Sequence, residues 1–436
     1  MKMVKAILLL ASFVMCSSLT QGAEPPGLIR TSGTGFVDAN GKALILHGIN
    51  VENKDPKQGY LGDFGTSDLD LIRSWGMNCI RLTIFWDGLE PEPGKIDRSY
   101  IERIANLVEL AKRRGIYVLL DMHQDLYSVK FSDGAPLWAT LDDGKQYTAS
   151  RVWSDAYVSS EAVQTAFDHF WANDPASDGE GLQDHYARVW QAVATRFARE
   201  PAVVGYDLMN EPAPGVDYAR AQQAGIMALA QALAKRDGAK APGVDEIVAS
   251  MSRPDGLKRM QSWLADPLTF TAMLQGMAPV SQNFERTQLM PFYTRVARAI
   301  RQVDHDHILF LEPVILSGVG VRSALTPVTG VEGTPDPRLA FSPHCYDITT
   351  DNGPADPSGN ARLRIMLSNH NEKSRELDWP MLVGEWGAFY LDGGAAASAR
   401  FITSEFDRLD SSDTYWSYQR ALGHSALLPA LSRGIP

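Results

Sequence analysis

Cysteine is scarce: the 436-residue chain has three, and only Cys79 and Cys345 lie beyond position 23. A fold stapled by several disulfides is therefore excluded. The two thiols fall on strands far apart in the proposed order, so they are expected to be buried and free. A basic excess is missing too. Against 52 acidic residues stand 41 Lys and Arg, a net charge of −11 that becomes −13 if Lys2 and Lys5 leave with a leader. That balance excludes a nucleic-acid partner, whose phosphates need a basic footprint. After residue 23 no apolar run has the length of a membrane helix. Gly-rich phosphate loops, a Gly-x-Ser-x-Gly elbow, His-Glu-x-x-His spacing, internal repeats and low-complexity tracts are all absent. No metal and no cofactor is expected.

What is there is the composition of a soluble globular protein, 44% hydrophobic and 21% charged. Met1 to Ala23 carries Lys2 and Lys5, an apolar stretch from Ala6 to Met15, and small residues ending Gln21-Gly22-Ala23. It has the pattern of a secretory leader, which implies a secreted or periplasmic protein. Gly35 to Lys42 then predicts a hairpin turning on Asn40-Gly41.

Eight short apolar runs follow, separated by helical patterns. They begin at Ala43, Cys79, Ile116, Val203, Ile308, Leu339, Met381 and Thr414. Ser99 to Arg114 shows the helical period most clearly, with Ile101, Ile104, Leu107, Val108 and Ala111 on one face. Ser67 is the expected cap of a helix over Asp68 to Trp75, and further helices are expected over Asp184 to Arg199, Gln288 to Val303, Ala361 to Glu376 and Ala396 to Leu409. Strand and helix in alternation predict an α/β fold, a (β/α)8 TIM barrel over 24–419 with long loop insertions after strands 3 and 4. The first insertion, Asp125 to Trp171, packs nine aromatics into 47 residues, which suits either sugar-stacking platforms or a small core of the loop's own. The second, Ala213 to Arg286, holds five methionines, suiting either a lipid-tail groove or the core of a helical lid.

Barrels keep their chemistry where strands end. Val203 to Leu208 leads to Asn210-Glu211-Pro212, and Pro212 favours an extended residue before it. Glu385 ends the seventh run, flanked by Gly384 and Gly387. Asp121 ends the third as a competing carboxylate, or one that orients its neighbours. Carboxylates on strands 4 and 7 can face each other across a barrel mouth, one protonated and one ionised, as cleavage of a glycosidic bond requires. Arg81 is placed to fix a carboxylate, Asn210 to donate to a sugar hydroxyl, His123, His344 and Tyr346 to orient groups, and Trp416 to floor a subsite. Each also has a plain reading, as a structural ion pair, a satisfied core histidine or ordinary core.

The order Arg81, His123, Asn210-Glu211, His344-x-Tyr346, Glu385 and Trp416 resembles family 5 of the glycoside hydrolases. Asp121-Met122-His123-Gln124-Asp125, Lys130 to Trp138 and Ala166 to Trp171 resemble its endoglycoceramidase branch. The resemblance implies a retaining hydrolase with Glu211 as acid/base, Glu385 as nucleophile and the other residues binding sugar. It implies a glycosphingolipid-like substrate cut between glycan and lipid, with transient contact to a lipid surface. A polysaccharide endoglucanase or mannanase of the same family is the alternative. Endoglycoceramidase relatives usually continue through a last barrel helix into a β-sandwich, whereas 420–436 holds no acidic residue and reads as an atypical tail, truncated, frame-shifted or a natural short form. Missing that helix, strands 1 and 8 would be uncovered and the protein aggregation-prone, and a disabled barrel would leave only a non-catalytic glycan- or lipid-binding protein.

Overall fold

The computed structural model describes residues 26–432 apart from 151, 252, 254, 331–332, 349, 351–358 and 390–391. The leader expected over Met1 to Ala23 lies outside the described residues. Eight parallel strands form a near-closed barrel: β1 (His47–Val51), β2 (Cys79–Phe85), β3 (Tyr117–His123), β4 (Val203–Asp207), β5 (Ile308–Leu311), β6 (Leu339–Phe341), β7 (Leu382–Val383) and β8 (Ser412–Tyr415). Neighbours in sequence are neighbours in the sheet, and β8 returns to β1. A bridge from Phe341 to Met381 and a parallel pair, His344–Cys345 with Glu385–Trp386, join β6 to β7.

Two expected strands are broken. Pro343 has no N–H for the ladder, and β6 stops before it and resumes at His344. Across from it β7 skips Gly384 and resumes at Glu385. A Cβ on Gly384 would come within 3.1 Å of Ser342 Oγ and 3.2 Å of His344 Nε2. Its missing side chain therefore leaves room for the close approach that sets His344 beside Glu385.

The barrel interior is layered. Its lower layer is apolar, built on Leu46, Cys79, Leu119, Val204, Phe310 and Leu382. A three-stranded antiparallel ribbon, Arg30–Ser32, Gly35–Val37 and Ala43–Leu44, plugs that end, with Phe36 stacked on Phe310 at 5.9 Å. The ribbon contains the expected hairpin and one strand more. Above the apolar layer the inward positions are charged, beginning with Arg81.

Outside, α1 (Thr66–Ser74), α2 (Arg98–Lys112), α3 (Leu182–Phe197), α4 (Met290–Arg301), α5 (Asn360–Leu377) and α6 (Ala396–Leu409) cover the barrel. The five apolar residues expected on the inner face of α2 are buried, and Asp97 caps it by accepting from the N–H groups of Ser99 and Tyr100. Ser67 is not the cap of α1. Gly65 holds that position, and Asp68 accepts the Gly65 N–H at 3.0 Å. Cys79 and Cys345 are buried and free.

The tail corrects another expectation. A 3-10 turn over Arg420–His424 and a single helical turn, Leu428–Leu431, bury Leu422, Leu427 and Leu431 against the barrel's outer layer. Asp68 accepts from Tyr418 Oη at 2.7 Å and from Arg420 Nη2 at 3.0 Å, which pins the tail to α1. Strands β1 and β8 are buried throughout, so the uncovered surface that motivated the aggregation expectation is not present.

Candidate active site

Six side chains from five strands converge on one guanidinium. Arg81 is fully buried on β2, and its Nη1 donates to Glu385 Oε1 at 2.8 Å and to Asn50 Oδ1 at 3.0 Å. Nη2 donates to Glu312 Oε1 at 2.8 Å and Asn210 Oδ1 at 3.0 Å, with Asp121 Oδ1 also at 3.0 Å. Nε donates to Asp207 Oδ2 at 2.9 Å. Only a planar, five-donor group can hold so many acceptors at once. Arg81→Met leaves four acidic side chains around an apolar stem and should cost about 3–5 kcal/mol of stability. A lowered urea midpoint with an unchanged slope would report it, and an unmoved midpoint would contradict it.

Glu211 follows β4. Its backbone has φ +42°, in the left-handed region, and not the extended conformation expected before Pro212. Both neighbours hold it there. Gln124 Nε2 donates to the carbonyls of Asn210 and Glu211 at 2.9 and 3.1 Å, and the Glu211 N–H donates to Glu312 Oε2 at 2.8 Å. Strain held by such contacts aims a side chain. The Glu211 carboxyl receives His344 Nδ1 at 2.9 Å. Burial pushes it up to about 7; the bond and charge of His344 pull the other way, and Glu385 adds to the rise.

Glu385 takes Arg81 on one oxygen and Tyr346 Oη on the other at 2.9 Å. Both of its oxygens are thus occupied by donors. Carboxylate oxygens of Glu211 and Glu385 and a ring nitrogen of His344 lie within 4.8 Å of one another. Such closeness is compatible with a retaining pair, whose carboxyl groups stand about 5–5.5 Å apart.

Burial works against charge on His344, but Glu312 and Glu385 outweigh it and hold the imidazole well above its ordinary range. His123 behaves alike beside Asp121, which Nδ1 meets at 2.8 Å. Asp207 moves the opposite way. Burial and the nearby Glu312 raise it well above the carboxylate range despite Arg81.

All eight residues expected at the site, Arg81, His123, Asn210, Glu211, His344, Tyr346, Glu385 and Trp416, are brought to one end of the barrel. Trp416 stacks on His123 at 5.3 Å and 13°. A cleft of about 560 Å³ opens above the two glutamates. The ends of β8, β1 and β3 bring Trp416, Glu52, Lys54, His123 and Asp125 to it. Lys54 bonds Asp125, sits 3.3 Å from Asp133 and lies 5.6 Å over the Trp416 ring. The loops after β5 and β6 bring Ile315, Leu316, Val319 and Ile348 to the cleft, and the insertion after β3 brings Leu126 and Trp153.

Neither insertion follows a single expected reading. Among the nine aromatics, Tyr127, Phe167, Phe170 and Trp171 are core, while Phe131, Tyr147, Trp153 and Tyr157 reach the cleft. No methionine of 213–286 lines it: Met273 and Met277 are buried between the long helices Asp217–Asp237 and Pro267–Phe284, as the lid-core reading has it. Glu312, Asp207 and the Lys54 cluster were not anticipated. Glu312 had a signal, since Glu312-Pro313 ends an apolar run as Glu211-Pro212 does. Among the described residues, two of the four groups with metal-ligand geometry already have a cation of the chain beside their carboxylates, Arg81 in one and Lys54 in the other, and a third is the Glu211, His344 and Glu385 group itself. In the fourth, Asp178, Glu180 and His185, Glu180 is paired with Arg188.

Fold and paired glutamates together are those of the barrel glycoside hydrolases. Residues 37–236 and 254–421 match the model for Cellulase (glycosyl hydrolase family 5), and the chain belongs to that family. It is similar to endoglycoceramidase I of Rhodococcus hoagii (strain 103S), 32% identical over 195 residues, 44% of this chain and 38% of that protein. To the endoglycoceramidase of Hydra vulgaris it is 28% identical over 308 residues, 64% of this chain and 48% of the other. Among solved structures it resembles endo-glycoceramidase II from Rhodococcus sp. as a lactosyl-enzyme intermediate, with a TM-score of 0.65 and 28% identity, covering 90% of this chain and 76% of that one. The chain spans less than half the length of these two curated relatives.

Proposed function

We propose that the protein hydrolyses the β-glycosidic bond between glycan and lipid in glycosphingolipid-like substrates, with retention, outside the cytoplasm. The mixed lining of the cleft carries this reading: polar and aromatic residues suited to sugar and apolar residues suited to the departing lipid both line the space above Glu211 and Glu385. Glu211 protonates the glycosidic oxygen while Glu385 attacks the anomeric carbon. The C–O bond to the lipid breaks, and a glycosyl ester on Glu385 forms. Glu211, now a base, takes a proton from water, whose oxygen displaces Glu385 and frees the sugar. Arg81 and Tyr346 stabilise the Glu385 carboxylate as it leaves.

The endoglycoceramidase relatives support the lipid side of the reading, and the leader-like Met1 to Ala23 supports export. Exposed Met227, Val248, Met251 and Leu268 on the helical insertion after β4 suit brief contact with a lipid surface. Incubation with a glycosphingolipid and, in parallel, a soluble β-glucan tests the assignment. Release of ceramide is expected, and turnover of the glucan alone would transfer the enzyme to polysaccharides.

Two further outcomes follow. Because Glu211 must hold its proton to act as acid and is pushed up to about 7, kcat/KM should fall about tenfold per unit above that pH. A flat profile to pH 9 would contradict it. Trp153, 44% exposed and lining the cleft, contacts lipid and not sugar in this reading. Trp153→Ala should raise KM for a long-chain glycolipid roughly tenfold and leave a soluble aryl glycoside unchanged. Equal effects on both would place Trp153 on the sugar side.

A further inference from the structure

We propose that Glu312 is a positioning residue that sets the acid/base behaviour of Glu211 through two contacts, the Glu211 backbone and the His344 ring. The inference rests on the reading of Glu211 as acid/base. Glu312 follows β5 and is 2% exposed. It ties three strands together: Oε1 accepts from Arg81 on β2 at 2.8 Å and lies 3.2 Å from His344 Nε2 beyond β6, while Oε2 accepts the N–H of Glu211 beyond β4 at 2.8 Å. Its own carbonyl accepts from Tyr293 Oη at 2.8 Å.

The first contact is conformational. Glu211 sits at φ +42°, off the ladder, so the sheet supplies no acceptor for its N–H. Glu312 supplies one, and without it that buried donor would be left bare.

The second contact is electrostatic. His344 has Glu312 on its Nε2 side and Glu211 on its Nδ1 side at 2.9 Å, with Glu385 at 3.6 Å. A ring with carboxyl oxygens at both nitrogens is held as the imidazolium, where both nitrogens carry protons. The cation next to Glu211 then limits how far burial raises that carboxyl. The charged groups facing Glu312 are Arg81 from β2, Asp121 from β3, Asp207 and Glu211 from β4, and His344; the phenols of Tyr186 and Tyr293 approach from the outer helices. Glu312 meets the backbone N–H of Glu211 at 2.8 Å, whereas it is His344 Nδ1 that meets the Glu211 carboxyl, at 2.9 Å. Losing the Glu312 charge therefore acts mainly through the histidine, and Glu211 should hold its proton to higher pH.

Glu312→Gln keeps the size and an acceptor oxygen and removes the charge. Two readouts test the proposal on the full chain. In histidine 15N spectra, His344 should remain imidazolium through pH 8 in the parent and lose its proton at least one unit lower in the variant. In kcat/KM against pH, the alkaline limb should move up by about one unit. A merely structural role would lower the rate at every pH and leave the limb in place. Matching His344 titrations, or a His344 already neutral at pH 7 in the parent, would overturn the proposal. If Glu312→Gln does not fold, the parent titration alone decides. Should the parent fail to cleave glycosides while His344 behaves as stated, it is the reading of Glu211 that falls and not the link from Glu312 to His344.

Discussion

Glu385→Gln should lower kcat at least roughly ten-thousand-fold, because an amide cannot form the glycosyl ester through which both steps pass. The substitution is nearly isosteric in a pocket where the side chain is 5% exposed, and Arg81 keeps Asp121, Asp207 and Glu312 as partners. The fold should survive with a cooperative melt. Turnover of an aryl β-glycoside, with circular dichroism on the same sample, checks both halves. Residual activity within tenfold of the parent would remove Glu385 from the chemistry.

Glu211→Gln should depend on the leaving group. A lipid alcohol departs as a poor anion and needs the proton, so kcat/KM on a glycolipid should fall about 10²–10⁴-fold, the range of general acid catalysis. A dinitrophenolate needs no proton, and the first step on such a glycoside should run close to the parent rate. The second step still lacks its base, so a burst of one phenolate per enzyme followed by slow turnover is expected. Equal losses on both substrates would mean that Glu211 only binds.

Much of this was legible in the chain because burial on both faces of a parallel strand leaves a short apolar run, and each run here ends in a chemically distinctive residue. Val203 to Glu211 and Leu382 to Trp386 could be placed on that basis alone, and so could the inner face of α2. Other features depend on what meets across the barrel. Asp207 is one acid in Val-Val-Gly-Tyr-Asp, and nothing local reveals that it turns inward beside Arg81. Pro343 and Gly384 break two strands at matched positions, a coincidence visible only once β6 and β7 lie side by side. The tail misled for a different reason. Its composition departs from an amphipathic helix, yet Leu422, Leu427 and Leu431 cover the barrel from a 3-10 turn and one helical turn, anchored through Arg420 to Asp68. The insertions were ambiguous because aromatic and methionine side chains serve cores and clefts equally well.

The most direct test of the paired-glutamate chemistry is the configuration of the sugar at the moment it is freed. Proton NMR of the anomeric region during the first minutes of hydrolysis of an aryl β-glycoside should show the β-anomer appearing first, with the α-anomer growing in only as mutarotation proceeds. Initial release of the α-anomer would mean a single displacement by water, and the covalent role of Glu385 would be wrong.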